Sequence, residues 1–565
     1  MEVADPVSLS RRITNPPTPL LNWLLQPGLS ALSETAWAGS STSADLDFPA
    51  LNSQLYGTRQ SATSRASYSA QTVSHKDYVQ ASIPHWQSSF SDSCHWAKTF
   101  RQCLCGRVIL KAAADRLSEL SVTVSSATAI YAPTIFNLSF MAVPGGRLDA
   151  DSYDPAARDA ERRELTNLID MIDTRALEAR ASHLRQGIPC SIPPLQYDRA
   201  TRSSVMGGMN YHIEVRFDDG ITWIARIRRF NATSPPTALR DYILRSEVAT
   251  LMFLEKTGVP APKVHDFALE HPDNPVGVGF ILMDKLPGKS LRWSIATQQQ
   301  RKKVMDQLAD TFVELHKYPF DLLGSLDSPG GSHVGAFARE SLTDFMQSEM
   351  RTSGPFSSLE EYHVSSIQLI LDLIVRDEMY SQQAVDAYII HRYLIDLVPH
   401  VLPEVHDDEK FYLKHADDKG DHILVDEHFN ITGIIDWEWA HTASPAHAFN
   451  SPVGFLPVAD FYCGKNSLGD DEVVFARLLE EKGHRDLARF VWDGRLQHRF
   501  AFCCGYDLAD WDGFLGLFRG LRDAIGIDED LEWNEWKVAA LQRYKDDSGL
   551  QLLLTKHQVS SVLEM

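Results

Sequence analysis

Cysteine is scarce in this chain: seven residues in 565, an odd number. That count argues against a disulfide framework and fits reduced thiols in a cytosolic protein. Excess basic charge is absent too. The formal net charge is −21, which argues against nonspecific nucleic-acid binding and is compatible with a cationic small-molecule partner. No uninterrupted apolar stretch is long enough to span a bilayer, so no membrane partner is expected. The first residues include Glu2 and Asp5 and lack the charged-then-apolar layout of a secretory signal, which predicts a cytoplasmic location. The rest of the composition, 44% hydrophobic and 23% charged, is ordinary for a soluble globular protein. A length of 565 residues exceeds one compact core, so the chain should hold two or three domains, or one domain with disordered ends.

The first 100 or so residues are rich in Ser, Thr, Ala and Pro, as in Asn15-Pro16-Pro17-Thr18-Pro19. Such a segment buries too little apolar surface to offset chain entropy, and disorder is its expected state. Leu20 to Leu25 is an apolar exception. Cys94, His95, Cys103 and Cys105 match no common zinc spacing. Order is expected from near residue 155, where Leu165, Leu168, Ile169, Ile172, Ala176 and Ala179 recur at helical spacing. Gly187 and Pro189 should end that helix.

Alternation over Tyr211–Phe217, the turn Asp218-Asp219-Gly220 and the return Ile221–Ile227 predict a β-hairpin. An amphipathic helix follows over Leu239–Lys256, then strands over Val264–Leu269 and Gly279–Met283. From about residue 295 the pattern is mostly helical, interrupted by residues 411–436. In that interruption a His-x-Asp loop precedes two short apolar strands and a terminal Asp. Asp417 and Asp436 thus stand at the two ends of one hairpin. Phosphoryl transfer uses such a pair: one carboxylate orients and deprotonates the acceptor hydroxyl, the other holds Mg²⁺ on the nucleotide phosphates.

Other parts precede this hairpin in the order such chemistry needs. Gly207 and Gly208, followed by Asn210, let backbone N–H groups approach phosphate oxygens just before the first strand. Arg226 on the returning strand is a cation suited to the α- and β-phosphates, and Glu247 on the next helix is its expected partner. Arg226 shares its strand face with Ile224 and Arg228. The backbone of Asp284 and Leu286, at the exit of an apolar strand, is placed to hydrogen-bond a purine. His415 is expected to hold the loop rather than react.

With these parts in place, the chain from about residue 165 to 545 resembles the aminoglycoside phosphotransferase family of small-molecule kinases. The resemblance is carried by Met206–Phe217, Trp223–Arg228, Arg245–Leu254, Val259–Lys263, Met283–Gly288, Leu308–His316, His415–Asp426 and Ile431–Glu438. It implies a protein-kinase-like fold and ATP-dependent phosphorylation of a small-molecule hydroxyl. Asp417 then matches the catalytic Asp, Asp436 the metal-binding Asp and Glu247 the helix Glu. Three departures stand out. His422 occupies the position of the family's second metal ligand, an Asn, although Mg²⁺ prefers oxygen. Asp418 replaces the usual Leu, and Arg226 the usual Lys. Either the metal set has changed to Asp436 and His422, with Mn²⁺ as an alternative to Mg²⁺, or a neighbour such as Asp421 substitutes, or catalysis is weakened.

The expected architecture is α+β and bilobal. Residues 1–155 form a largely disordered extension, 156–290 a helix plus a nucleotide-binding N-lobe, 291–545 a helical C-lobe and 546–565 a tail. A catalytically impaired pseudokinase is the alternative function, favoured by His422 and Asp418. A protein kinase ranks lower, since neither Asp-Phe-Gly nor an Ala-Pro-Glu-like segment follows the hairpin. The acids and indoles of Asp507, Asp510, Trp511, Asp512, Asp528, Glu529, Asp530, Glu532, Trp533 and Trp536 would suit an amine-bearing acceptor. A solvated acidic helix end is the simpler reading of them.

Overall fold

The computed structural model describes residues 150–563, apart from 197–208, 232–233, 341–342, 345–350, 403–409 and 506–510. Two helices lead in, α1 (Ala150–Met171) and α2 (Thr174–Leu184). The periodicity had suggested one helix here. Asp173 divides it, because its carboxylate caps α2 by accepting from the Ala176 N–H at 3.0 Å. Its own N–H donates to the Val276 carbonyl at 2.9 Å. Gly187, at φ 88°, stands just past the end of α2 as expected.

The first lobe is a five-stranded antiparallel sheet in the order β1-β2-β3-β5-β4. Its strands are β1 (Cys190–Ser191), β2 (Asn210–Phe217), β3 (Thr222–Arg228), β4 (Val264–Ala268) and β5 (Phe280–Asp284), with helix α3 (Thr237–Leu254) between β3 and β4. The β2–β3 hairpin turns where expected, with Gly220 at φ 89°. Tyr211, Ile213, Val215 and Phe217 of β2 join Trp223, Ala225 and Ile227 of β3 in one buried core with Leu165, Leu168 and Leu177. Each such side chain contributes about 1.5–3 kcal/mol on leaving water. Strand period two sends the alternate residues Asn210, His212, Arg226 and Arg228 to the opposite face. His212 and Arg226 are register partners there.

The second lobe is mainly helical. It begins with the two-residue strand β6 (Lys289–Ser290) and α4 (Gln298–Leu315), whose start is closed by a Thr297–Gln300 capping box. Short pairs β7–β8 (Ser325–Leu326, Val334–Gly335) and β9–β10 (Thr343–Asp344, Arg351–Thr352) precede the long helices α5 (Leu359–Val375) and α6 (Ala384–Val401). Then come β11 (Tyr412–Lys414), β12 (Ile423–Val425), β13 (Ile431–Ile434) and β14 (His441–Ala443). β12 and β13 form the expected hairpin, β6 extends it, and β11 pairs with β14. Eight further helices follow among the described residues, from α7 (Pro445–Ala448) to α14 (Ser548–Leu563). α14 falls where a tail was expected, and it buries Leu550 and Leu553. A small β-rich lobe followed by a larger helical lobe is the kinase-like α+β order. No helix among the described residues is long and apolar enough to cross a membrane.

Candidate active site

The His415–His422 loop is held by its histidine. The His415 Nε2–H donates to the Ile435 carbonyl at 2.9 Å, and Nδ1 accepts from the Asp417 N–H at 3.1 Å. This neutral ring, its pKa lowered by burial, couples the loop carrying Asp417 to the residue before Asp436. The Trp437 ring packs on it edgewise at 4.8 Å and anchors itself through Nε1–H to the Ile434 carbonyl at 2.9 Å. Asp418, the residue that departs from an apolar pattern, is explained here. It takes Lys414 at 2.9 Å and the Val453 N–H at 3.3 Å, so it anchors the loop.

Asp417 has one oxygen engaged and one idle. Oδ2 lies 3.0 Å from the Lys419 ammonium, while Oδ1 is buried without a hydrogen-bond partner. Burial raises the carboxyl above its usual range, and Lys419 pulls against that rise. Lys419 also approaches Asp421 at 3.5 Å. His422 is buried and stacks on His415 at 4.1 Å, its carbonyl accepting from the Ile435 N–H at 2.9 Å. Burial holds its imidazole well below the ordinary value, and its Nδ1 has no hydrogen-bond partner.

Asp436 follows β13 with φ 66°, a left-handed backbone rare outside glycine. Its carboxylate is 47% exposed and meets Arg226 Nη2 at 2.5 Å. Loss of solvent would raise this carboxyl, but Arg226 prevails and holds it below the usual range. Arg226 also pairs with Glu247 at 3.1 Å, as expected, and with Glu438 at 3.0 Å. Burial raises the Glu247 carboxyl, with Arg226 opposing. Arg228 joins Glu438 and Glu340, and the Asn210 amide donates to Glu438 at 2.7 Å. His212 Nε2 lies 3.5 Å from Arg226, and burial lowers its pKa to about 4. Asn210, Arg226, Glu247 and Asp436 therefore converge.

Gly207 and Gly208 lie outside the described residues. At the expected purine edge, the Asp284 N–H is committed to the Lys263 carbonyl at 3.0 Å, and its carboxylate takes the His265 ring at 2.7 Å. The Leu286 side chain lies over Gly433, where a Cβ would collide with it. Leu286 is thus set against the hairpin that carries the two carboxylates.

Glu438, Lys419, His212 and Glu340 were not foreseen as site residues. Glu438 and Lys419 do carry a local signal, each lying two residues beyond an expected catalytic carboxylate. Glu340 carries none. The proposed acceptor surface has a different character. Trp533 packs on Trp511 at 4.9 Å and Trp536 at 5.4 Å, and Trp536 is fully buried against Phe518 and Tyr393. Asp528 pairs with Arg543 at 3.0 Å. The half-buried Trp511 and Trp533 thus pack with the core residue Trp536, and Asp507 and Asp510 lie outside the described residues.

No group of three metal-ligating side chains occurs among the described residues. Mg²⁺ serving a nucleotide needs none, since one or two carboxylates plus phosphate oxygens and water suffice. The half-exposed Asp436 carboxylate fits that requirement.

Residues 210–451 match the model of the phosphotransferase enzyme family, APH. Over this segment the chain resembles that family, and its lobes follow the kinase-like α+β order that the motifs implied. A subtelomeric hrmA-associated cluster protein of Aspergillus fumigatus is 34% identical over 123 residues, 21% of this chain and 23% of that protein. Clavilactone A biosynthesis cluster protein Y of Ampulloclitocybe clavipes is 29% identical over 248 residues, 42% of this chain and 59% of that protein. The chain thus spans under a quarter of the first relative and under two thirds of the second. Among solved structures, the GDP and kanamycin complex of APH(2″)-IIIa is similar at 15% identity and TM-score 0.35, covering 66% of this chain and 98% of that one.

Proposed function

We propose that this protein transfers a phosphoryl group from ATP to a hydroxyl of a small molecule. The carrying observation is the arrangement of Asp417 and Asp436 at the two ends of one hairpin, joined through His415, with the Arg226–Glu247 pair meeting Asp436. Asp417 Oδ1, buried and unpartnered, accepts the acceptor hydroxyl's proton. Arg226 grips phosphate oxygens with a guanidinium held in place by Glu247. The Asp284 carbonyl and the Leu286 N–H hold the purine edge. Asp436 would hold Mg²⁺, which would supply charge neutralisation at the phosphates.

A nucleotide-binding protein without transfer is the second reading, favoured by the imidazole of His422 at an expected oxygen-ligand position. Calorimetry with ATP, in Mg²⁺ and in Mn²⁺, alongside an ATP-turnover assay, separates the two. Binding without turnover in either metal selects the second reading. The Asp436→Ala variant should weaken metal-dependent ATP binding by about tenfold or more, the order expected when a metal site is damaged. Unchanged affinity in Mg²⁺ would remove Asp436 from this role.

The Lys419 contact predicts a pH effect. Lys419 opposes the burial that raises Asp417, so Lys419→Met should move the acid limb of the kcat/KM profile to higher pH. A limb that stays put, or moves down, contradicts Asp417 as the base.

A further inference from the structure

Glu438 is more deeply buried than any role assigned so far requires. Its carboxylate is only 4% exposed, and both oxygens are engaged. Oε1 takes Arg228, while Oε2 takes Arg226 at 3.0 Å and the Asn210 amide at 2.7 Å. All three donors belong to β2 and β3 of the first lobe, more than 200 positions back in sequence, at separations of 210, 212 and 228 residues. With both oxygens filled, Glu438 is ill suited to be a metal ligand.

The backbone around it is strained. Asp436 and Trp439 lie at φ 66° and φ 63°, and neither is glycine. Such residues persist only where the surroundings over-determine them. Glu438 sits between the two and carries the ties that do so. The network adds little net stability, because desolvating its charges offsets their attraction. Its geometry, however, sets two functional groups at once. One Arg226 nitrogen, Nη2, serves both Glu438 and Asp436, so the position of Glu438 determines how Arg226 is shared between the Asp436 carboxylate and the phosphates.

We propose that Glu438 is a positioning residue, tying strand β3 to the Asp436–Trp439 segment so that Arg226 and Asp436 hold their transfer geometry. This rests on the phosphotransferase reading above. Glu438→Gln tests it, because the amide keeps the shape and loses the charge. Each arginine still retains a carboxylate, Glu247 and Asp436 for Arg226 and Glu340 for Arg228, which favours folding. Arg228→Met removes the same tie from the strand side and serves where the first variant does not fold.

Two readouts are expected. Without nucleotide, amide exchange across residues 434–440 should accelerate about tenfold or more, while β2–β5 keep their protection. In turnover, kcat should fall about tenfold or more with KM for ATP changed less than about threefold, the pattern of a contact effective mainly in the transition state. Glu438→Asp, which retains the charge, should recover part of the loss. Unchanged exchange overturns the proposal. Faster exchange with wild-type kcat and KM overturns it as well and leaves Glu438 a structural tie. A rise in the Mg²⁺ requirement with unchanged exchange would instead make it a metal ligand. If wild-type protein turns over no ATP, the phosphotransferase reading fails, and the exchange experiment still decides whether Glu438 holds the segment.

Discussion

Asp417→Asn should lower turnover by about 10²–10⁴-fold, the range for loss of a positioned general base. That corresponds to roughly 3–5 kcal/mol of transition-state stabilisation. The amide fits the same space, but it cannot take a proton from the acceptor, and it gives Lys419 a neutral partner in place of the 3.0 Å ion pair. The fold should survive and even gain. Burial raises the Asp417 carboxyl, so its ionised form at neutral pH opposes folding, and a neutral isostere removes that penalty. An inactive variant with an equal or higher melting temperature is the expected pair of results. Wild-type turnover in the purified variant would refute the assignment. Inactivity with a lower melting temperature would shift the explanation to misfolding.

The second large effect is acid unfolding of the helical lobe. Burial lowers the imidazoles of His363 and His391 to about 4 and that of His498 to about 3. His391 and His498 are buried, His391 donating to the Ala387 carbonyl at 2.7 Å and His498 to the Ser451 carbonyl at 3.0 Å, while the half-buried His363 packs on Phe500 at 5.2 Å. A base whose folded pKa is depressed binds fewer protons in the native state than when unfolded. Stability is therefore full above about 6.5, the unfolded value, and is lost as pH falls toward 4. At this order of magnitude each histidine accounts for about 3 kcal/mol at the bottom of the window, and three of them rival a typical total of about 5–15 kcal/mol. Melting temperature should drop steeply between pH 6.5 and 5, before most carboxylates titrate. His363→Leu should flatten that slope. A melting temperature constant across this interval would show that these rings are not buried and neutral in solution.

Several features of the site were legible because they are local. The β2–β3 alternation placed Arg226 on the face opposite Trp223 and Ile227, and the structure puts it there for the steric reason that strands have period two. The hairpin between Asp417 and Asp436 was likewise written in the apolar triplet Ile423–Val425, a turn and the run Ile431–Ile435. The helix from residue 165 was read as continuous because apolar spacing carries across Asp173. Only the cap that Asp173 makes, and the Val276 carbonyl it meets from a distant loop, divide it.

By itself, then, the sequence determined the order of parts: a β-rich lobe, a helix with Glu247, a strand exit at Asp284 and a hairpin flanked by two carboxylates. Each depends on short-range periodicity and turn chemistry, which neighbouring residues specify. Tertiary structure alone decided which charges meet and which rings are enclosed. Glu438 gains Arg226, Arg228 and Asn210 from more than 200 residues away, and Trp536 becomes core against Tyr393 and Phe518. Local pattern is silent on such matters, because an acidic, indole-bearing helix reads alike whether its rings face water or another helix. Burial, and with it the pKa of His363, His391 and His498, exists only once the surfaces that enclose them have met.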